Sequence, residues 1–129
     1  MGQAIMHNEA MKNVLIVDDS PIVLDATRMA LEERGYGVMT TSSPMEVPTL
    51  IRRHRPNLVL LDVSMPVLSG DRVVRVFRSF GNVPETKIVL FSDRSVGELG
   101  RLVSVCAADG FIQKTGDFDE LARRIDEYF

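Results

Sequence analysis

Five residues with chemical potential each follow an apolar run. Asp18 and Asp19 come after Val14-Leu-Ile-Val17, and Asp62 after Leu58-Val-Leu-Leu61. Ser92 follows Ile88-Val-Leu-Phe91, and Lys114 follows Gly110-Phe-Ile-Gln113. Three carboxylates brought into one crevice would repel each other. A hard divalent cation with oxygen ligands is the economical way to offset that, and Mg²⁺ is typically held by one or two carboxylates with waters and phosphate oxygens. Taken singly, none of these residues means much: an acidic pair is usually a solvated turn, a serine a cap, a lysine a surface charge. Their chemistry depends on whether the chain gathers them.

Short apolar runs without polar alternation read as strands buried on both faces of a parallel sheet. Between them lie amphipathic stretches. Ser20-Pro21 supplies an N-cap and a first-turn proline, and Ile22, Val23, Ala26, Met29 and Ala30 are expected on the inner face of the helix that follows, with Gly35 ending it. Val38 to Thr41 is a shorter, more polar strand. Ser43-Pro44 opens a second helix with Leu50 and Ile51 inward, which must start late or bend at Pro48 because proline donates no backbone hydrogen bond. Met65-Pro66 and Ser69-Gly70 form a loop after Asp62, and a third helix carries Val73, Val74, Phe77 and Phe80 inward. Ser95-Val-Gly-Glu98 resembles a capping box. The fourth helix that it opens places Val96, Leu99, Val103 and Cys106 inside. Gly97 and Gly100, each costing roughly 1 kcal/mol relative to alanine, make this the softest helix. A fifth, capped at Asp117, carries Phe118, Leu121, Ala122, Ile125 and Phe129.

Strict alternation of five strands and five helices implies right-handed crossovers and a doubly wound parallel sheet. The first, third and fourth strands are the most apolar and therefore central. The flavodoxin-like order 2-1-3-4-5 satisfies this, with its switch point between strands one and three. Ligand sites in such sheets lie at the carboxyl ends of the strands. Asp18, Asp19 and Asp62 accordingly converge.

Composition narrows the classes. A chain of 129 residues fits one domain, able to bury about two-thirds of its unfolded surface. Lys plus Arg number 15 against 18 Asp plus Glu, for a net charge of −3; a nucleic-acid module normally carries a concentrated basic patch. Arg52, Arg53, Arg55, Arg123 and Arg124 read as solvated helix faces. One cysteine, Cys106, leaves no intramolecular disulfide and suits a reducing, cytoplasmic compartment. No apolar stretch is long enough to span a membrane. Met1 to Ala10 shows no periodicity and is expected to be a disordered leader before a domain at 11–129. His54, Cys106 and the scattered methionines offer no metal-ligand spacing, and His7 reads as incidental.

The ensemble of an acidic pair, Asp62-Val-Ser-Met65-Pro66 with Gly70 after it, Ser92 and Lys114 resembles the response-regulator receiver domains of two-component signalling, from Met11 to Phe129. That resemblance implies a phosphoacceptor at Asp62, supplied by a sensor histidine kinase or a phosphotransfer protein, rather than an enzyme acting on a separate substrate. It also implies Mg²⁺ bound by Asp19 directly, Asp18 through water, Asp62 through one oxygen and Ser64 through its backbone carbonyl. Ser92 and Lys114 would hold phosphoryl oxygens, and Ser92 with Phe111 would relay the change. A downstream protein would read the face of helix four, strand five and helix five, with the chain a monomer or weak dimer and no direct nucleic-acid contact. If complete, the chain acts alone through protein contacts or phosphate relay; if a fragment, it has been separated from an output domain.

Two residues depart from the family pattern. Asp93 stands where a small residue usually follows the hydroxyl position, and it is expected to point outward, towards a helix N-terminus that favours negative charge. Thr115 stands where a cis proline commonly follows the lysine. A cis bond there would cost about 3–4 kcal/mol, so a trans bond and a somewhat altered loop are expected. Both departures support the alternative of a phosphorylation-independent pseudo-receiver serving as an interaction module. A haloacid-dehalogenase-type phosphatase would need Asp-x-Asp after the first strand, where Asp18-Asp19-Ser20 stands. A flavodoxin-type carrier would need a phosphate-cradling loop there, which the two carboxylates oppose.

Overall fold

A computed structural model describes residues 11–64 and 85–129. The leader, the Met65-Pro66 and Ser69-Gly70 loop and the third helix with Val73, Val74, Phe77 and Phe80 lie outside the described residues. The elements, numbered in chain order, are β1 (Asn13–Val17), α1 (Pro21–Glu33), β2 (Gly37–Thr41), a 3-10 turn (Pro44–Glu46) and α2 (Val47–His54), then β3 (Leu58–Asp62), β4 (Lys87–Ser92), α3 (Val96–Cys106), β5 (Gly110–Gln113) and α4 (Phe118–Asp126). Thus α3 and α4 are the fourth and fifth helices expected from the sequence.

The strands form one parallel sheet in the order β2-β1-β3-β4-β5. The apolar runs occupy its centre, as their lack of alternation requires. Alternate residues feed opposite faces. Leu15, Val17, Val59, Leu61 and Leu90 meet Val47 and Ile51 of α2 and Leu99 and Cys106 of α3. Val14, Ile16, Leu58, Leu60, Val89 and Phe91 meet Leu31 of α1 and Leu121, Ala122 and Ile125 of α4. Each such leucine or isoleucine, withdrawn fully from water, contributes roughly 1.5–3 kcal/mol. The register is thereby fixed, since a one-residue slip would exchange the two faces.

Capping follows the sequence closely. The Ser20 hydroxyl accepts from Val23 N at 3.3 Å, Ser95 from Glu98 N at 3.2 Å, and Asp117 from Glu120 N at 3.0 Å. In α3 the Glu98 carboxylate returns to the Ser95 hydroxyl (3.1 Å), a variant of the capping box. Gly35 ends α1 at φ +91°, a left-handed conformation that glycine adopts without strain. Pro48 delays α2, as expected: the chain after Pro44 first makes the 3-10 turn, and the α-helix begins at Val47.

Four inward assignments are corrected. Ile22 is 80% exposed and Met29 60%; the buried stripe of α1 is instead Thr27 and Leu31, flanked by Val23 and Leu24. A stripe chosen by apolarity alone passes over Thr27 and lands one residue round the helix. Val96 is exposed because it sits in the first turn of α3, before the helix settles on the sheet at Leu99. Phe129 is also exposed. Helix α4 stops at Asp126, so Tyr128 turns inward in its place and Phe129 lies over the Tyr36 ring.

Candidate functional site

The carboxyl ends of β1, β3, β4 and β5 bring the expected residues together. Asp62 is the last residue of β3 and Ser92 the last of β4; Asp18 and Lys114 each follow their strand by one position. One oxygen from each of Asp18, Asp19 and Asp62 lies within 4.8 Å of the others. Asp18 and Asp62 are buried, whereas Asp19 faces solvent.

The two buried carboxylates are held in the same manner. Asp18 Oδ1 accepts from Ser20 N at 3.0 Å, and Asp62 Oδ1 accepts from Ser64 N at 2.8 Å. Their Oδ2 atoms turn to Lys114, whose Nζ lies 2.7 Å from Asp18 and 3.4 Å from Asp62. Lys114 is itself placed by its backbone, which extends the β4–β5 pairing by donating to Ser92 O at 2.7 Å. Its ammonium also sits 5.1 Å from the centre of the Phe91 ring, a favourable cation–π placement.

Charge follows from this packing. Burial raises the pKa of Asp62 and the nearby Asp18 adds to the rise, against the opposing pull of Ser64 N–H and Lys114. Burial disfavours the Lys114 ammonium, but its contacts with Asp18 and Asp62 outweigh this and raise its pKa. Lysine thus stands as counter-ion to two carboxylates, and the acidic group keeps more negative charge than one ammonium can neutralise.

These donors fit a Mg²⁺ ion. Its ligand oxygens at about 2.1 Å in an octahedron lie roughly 3–4 Å apart, and oxygens of the three carboxylates are already gathered within 4.8 Å of one another. All are hard oxygen donors, and the exposed Asp19 leaves a way in from solvent.

Ser92 is fully buried, and its Oγ accepts from Arg94 N at 3.1 Å. Its other neighbour was not foreseen from the sequence: Ser64 Oγ lies 2.6 Å away. The family resemblance gives Ser64 a role only through its backbone carbonyl, and no linear spacing pairs residues on two different strand ends. Asp93 is exposed, as expected, yet its Oδ1 lies 3.4 Å from Ser64 Oγ. Phe111 is half-buried and packs on the Leu99 and Cys106 side of the sheet. No peptide bond among the described residues is cis, and Thr115 follows Lys114 through a trans bond.

The family model for the response regulator receiver domain matches residues 14–126. The chain belongs to that family. Among curated relatives, the receiver is 36% identical over 114 residues to the response regulator MprA of Mycobacterium sp. (strain KMS), covering 87% of this chain and 48% of that protein. It is 30% identical over 113 residues to the probable transcriptional regulatory protein TcrX of Mycobacterium tuberculosis, covering 87% and 47%. The receiver thus spans about half the length of the curated relatives it matches. Among solved structures, chemotaxis protein CheY4 of Vibrio cholerae superposes with a TM-score of 0.81 at 25% identity, over 93% of this chain and all of that one. Response regulator TrrA of Thermotoga maritima, solved in complex with Mg(2+)-BeF, gives 0.76 at 29% identity, over 92% and 100%. The receiver is therefore a two-component signalling module of the bacterial type, with an acidic pocket at the carboxyl ends of its strands. Among the described residues, no helix is long and apolar enough to cross a membrane.

Proposed function

We propose that this receiver, comprising residues 11–129, takes a phosphoryl group onto Asp62 from the phosphohistidine of a sensor kinase or phosphotransfer protein. The observation that carries this is the convergence of Asp18, Asp19 and Asp62 with Lys114 at the ends of β1, β3 and β5. In the transfer, a carboxylate oxygen of Asp62 attacks phosphorus in line. The new O–P bond forms as the P–N bond breaks, and the electron pair leaves with the donor imidazole. Mg²⁺ bound there would supply positive charge against the transferring group. Asp19 would hold it directly, Asp18 through water, Asp62 through one oxygen and Ser64 through its carbonyl.

Lys114 and Ser92 have separate tasks. The Lys114 ammonium moves from its carboxylate partners to a phosphoryl oxygen as a point charge, and the Ser92 hydroxyl donates to another. Charge is thus met where it develops. Ser92 and Phe111 then relay the change to the α3–β5–α4 face, which a downstream protein reads. Gly97 and Gly100 in α3 support this, because a weak helix is one that a modification can bias. A cytoplasmic location and a monomeric or weakly dimeric state belong to the same reading.

Intact mass after incubation with Mg²⁺ and a small-molecule phosphodonor tests the proposal. One added phosphoryl unit is expected on the wild type, none without Mg²⁺, and none on Asp62→Asn. The competing reading, a pseudo-receiver that binds partners without phosphorylation, draws on the reach of Asp93 towards Ser64. Absence of both the adduct and beryllofluoride binding would favour it.

A further inference from the structure

The hydrogen bonds around Ser92 have a direction. A carboxylate accepts only, so in the contact of Ser64 Oγ with Asp93 Oδ1 (3.4 Å) the proton belongs to Ser64. Either hydroxyl could donate across the 2.6 Å contact of Ser64 Oγ with Ser92 Oγ, but only donation by Ser92 gives both protons an acceptor, because the Ser64 proton is then free for Asp93. Ser92 is left as the donor there, while its own oxygen accepts from Arg94 N at 3.1 Å. The chain runs from Arg94 N–H through the Ser92 and Ser64 hydroxyls to the Asp93 carboxylate. Ser92 is fully buried and has one proton to give.

We propose that Ser64 and Asp93 form a hydroxyl lock, holding the Ser92 proton away from the phosphoryl group and so limiting how far this receiver occupies its phosphorylated conformation. The inference rests on the phosphoacceptor reading above. In that reading Ser92 must donate to a phosphoryl oxygen, and it cannot do so while donating to Ser64. Phosphorylation therefore has to break the Ser92–Ser64 bond, and the charge of Asp93 sets how firmly that bond points the wrong way. Ser64 and Asp93 act through Ser92 as positioning residues. The acidic residue at position 93 thus acts on the switch from outside the pocket, without entering the phosphoryl space.

Beryllofluoride binding in saturating Mg²⁺, followed by titration calorimetry, tests the lock. A neutral hydrogen bond of ordinary strength corresponds to roughly fivefold in an equilibrium constant. Ser64→Ala and Asp93→Ala should therefore each tighten beryllofluoride by about that factor. The double variant should be no tighter than Ser64→Ala alone, because both act in one chain. Unchanged or weaker binding by Ser64→Ala, or gains that multiply in the double variant, would overturn the lock while leaving the phosphoacceptor reading intact. Failure of the wild type itself to bind, with Asp62→Asn indistinguishable from it, would remove the phosphoacceptor reading and the lock with it. Asp93 is exposed, so its alanine variant keeps the test independent of any packing defect at Ser64.

Discussion

Replacing Lys114 by methionine keeps most of the unbranched stem and removes the ammonium, with its two carboxylate contacts and its cation–π placement on Phe91. The ammonium touches two carboxylates whose side chains are 1% and 3% exposed, and is itself 21% exposed. Removing one partner of a buried ion pair costs about 3–5 kcal/mol, since the other charge stays buried without compensation. The partial exposure of Lys114 lets water replace some of what is lost, which puts the expected cost near the lower end, about 3 kcal/mol. For 129 residues this lowers the midpoint of thermal unfolding in chelator by about 10 °C. Magnesium should reverse much of that loss. An ion at 100 times its Kd stabilises the folded state by about 2.7 kcal/mol, and in the variant it no longer competes with an ammonium for the same oxygens. Circular dichroism melts in chelator and in millimolar Mg²⁺, for both proteins, give four midpoints. The gap between wild type and variant should be wide in chelator and less than half as wide in Mg²⁺. Equal midpoints in chelator, or a gap indifferent to Mg²⁺, would refute the view that Lys114 is the resting counter-ion of a divalent-cation site.

Asp62→Asn should shift stability in the opposite direction. Burial raises the folded-state pKa of Asp62 above the unfolded value, about 3.9, so the folded protein holds that proton more tightly. The resulting stabilisation is fully present below the unfolded pKa and is lost as pH rises through the folded one. In chelator at pH 7 the asparagine variant should therefore unfold at higher urea than wild type, with its advantage shrinking towards pH 4; a less stable variant at pH 7 would contradict the charge balance described. Thr27→Val offers a control away from the site. The Thr27 hydroxyl is fully buried with no hydrogen-bond partner among the described residues, so an isosteric valine should raise stability by roughly 1 kcal/mol, read as a higher urea midpoint at unchanged slope. A loss of stability would mean that the hydroxyl is satisfied in solution.

Much of this was legible in the sequence because both faces of the sheet are covered. That makes β1, β3 and β4 unbroken apolar runs whose ends mark the site, and strand polarity alone orders the sheet. Helix faces were harder to read. Apolar residues occupy two stripes of α1, and the one that meets the sheet includes Thr27, which a count of apolar residues rejects. Phe129 was misplaced because nothing in the sequence said that α4 would end at Asp126 and hand the inward position to Tyr128. At the site, the acidic residues and Lys114 were placed by strand ends, which sequence shows directly. The Ser64–Ser92 bond was not, because it joins side chains at neighbouring strand ends 28 positions apart, a relation fixed only by the lateral pairing of β3 with β4.

The two departures from the family pattern, which look equivalent in the sequence, differ in consequence. Thr115 comes after the point where the aim of Lys114 is set. The β4–β5 register pairs Ser92 with Gln113, Gln113 Nε2 donates to Arg94 O at 3.0 Å, and Lys114 N donates to Ser92 O at 2.7 Å. The sheet has therefore aimed the lysine before the chain reaches residue 115. The altered chemistry is absorbed downstream: the Thr115 hydroxyl accepts from Asp117 N at 3.3 Å and Gly116 turns at φ +85°, delivering Asp117 to cap α4. Asp93 has no such buffer. It directly follows the residue whose hydroxyl must reorient, and its carboxylate lies across the strand end from Ser64. A substitution at 115 should thus leave the Lys114 contacts intact, whereas one at 93 acts on the switch hydroxyl. On that asymmetry, substitution at residue 93, and not at 115, is expected to change beryllofluoride affinity.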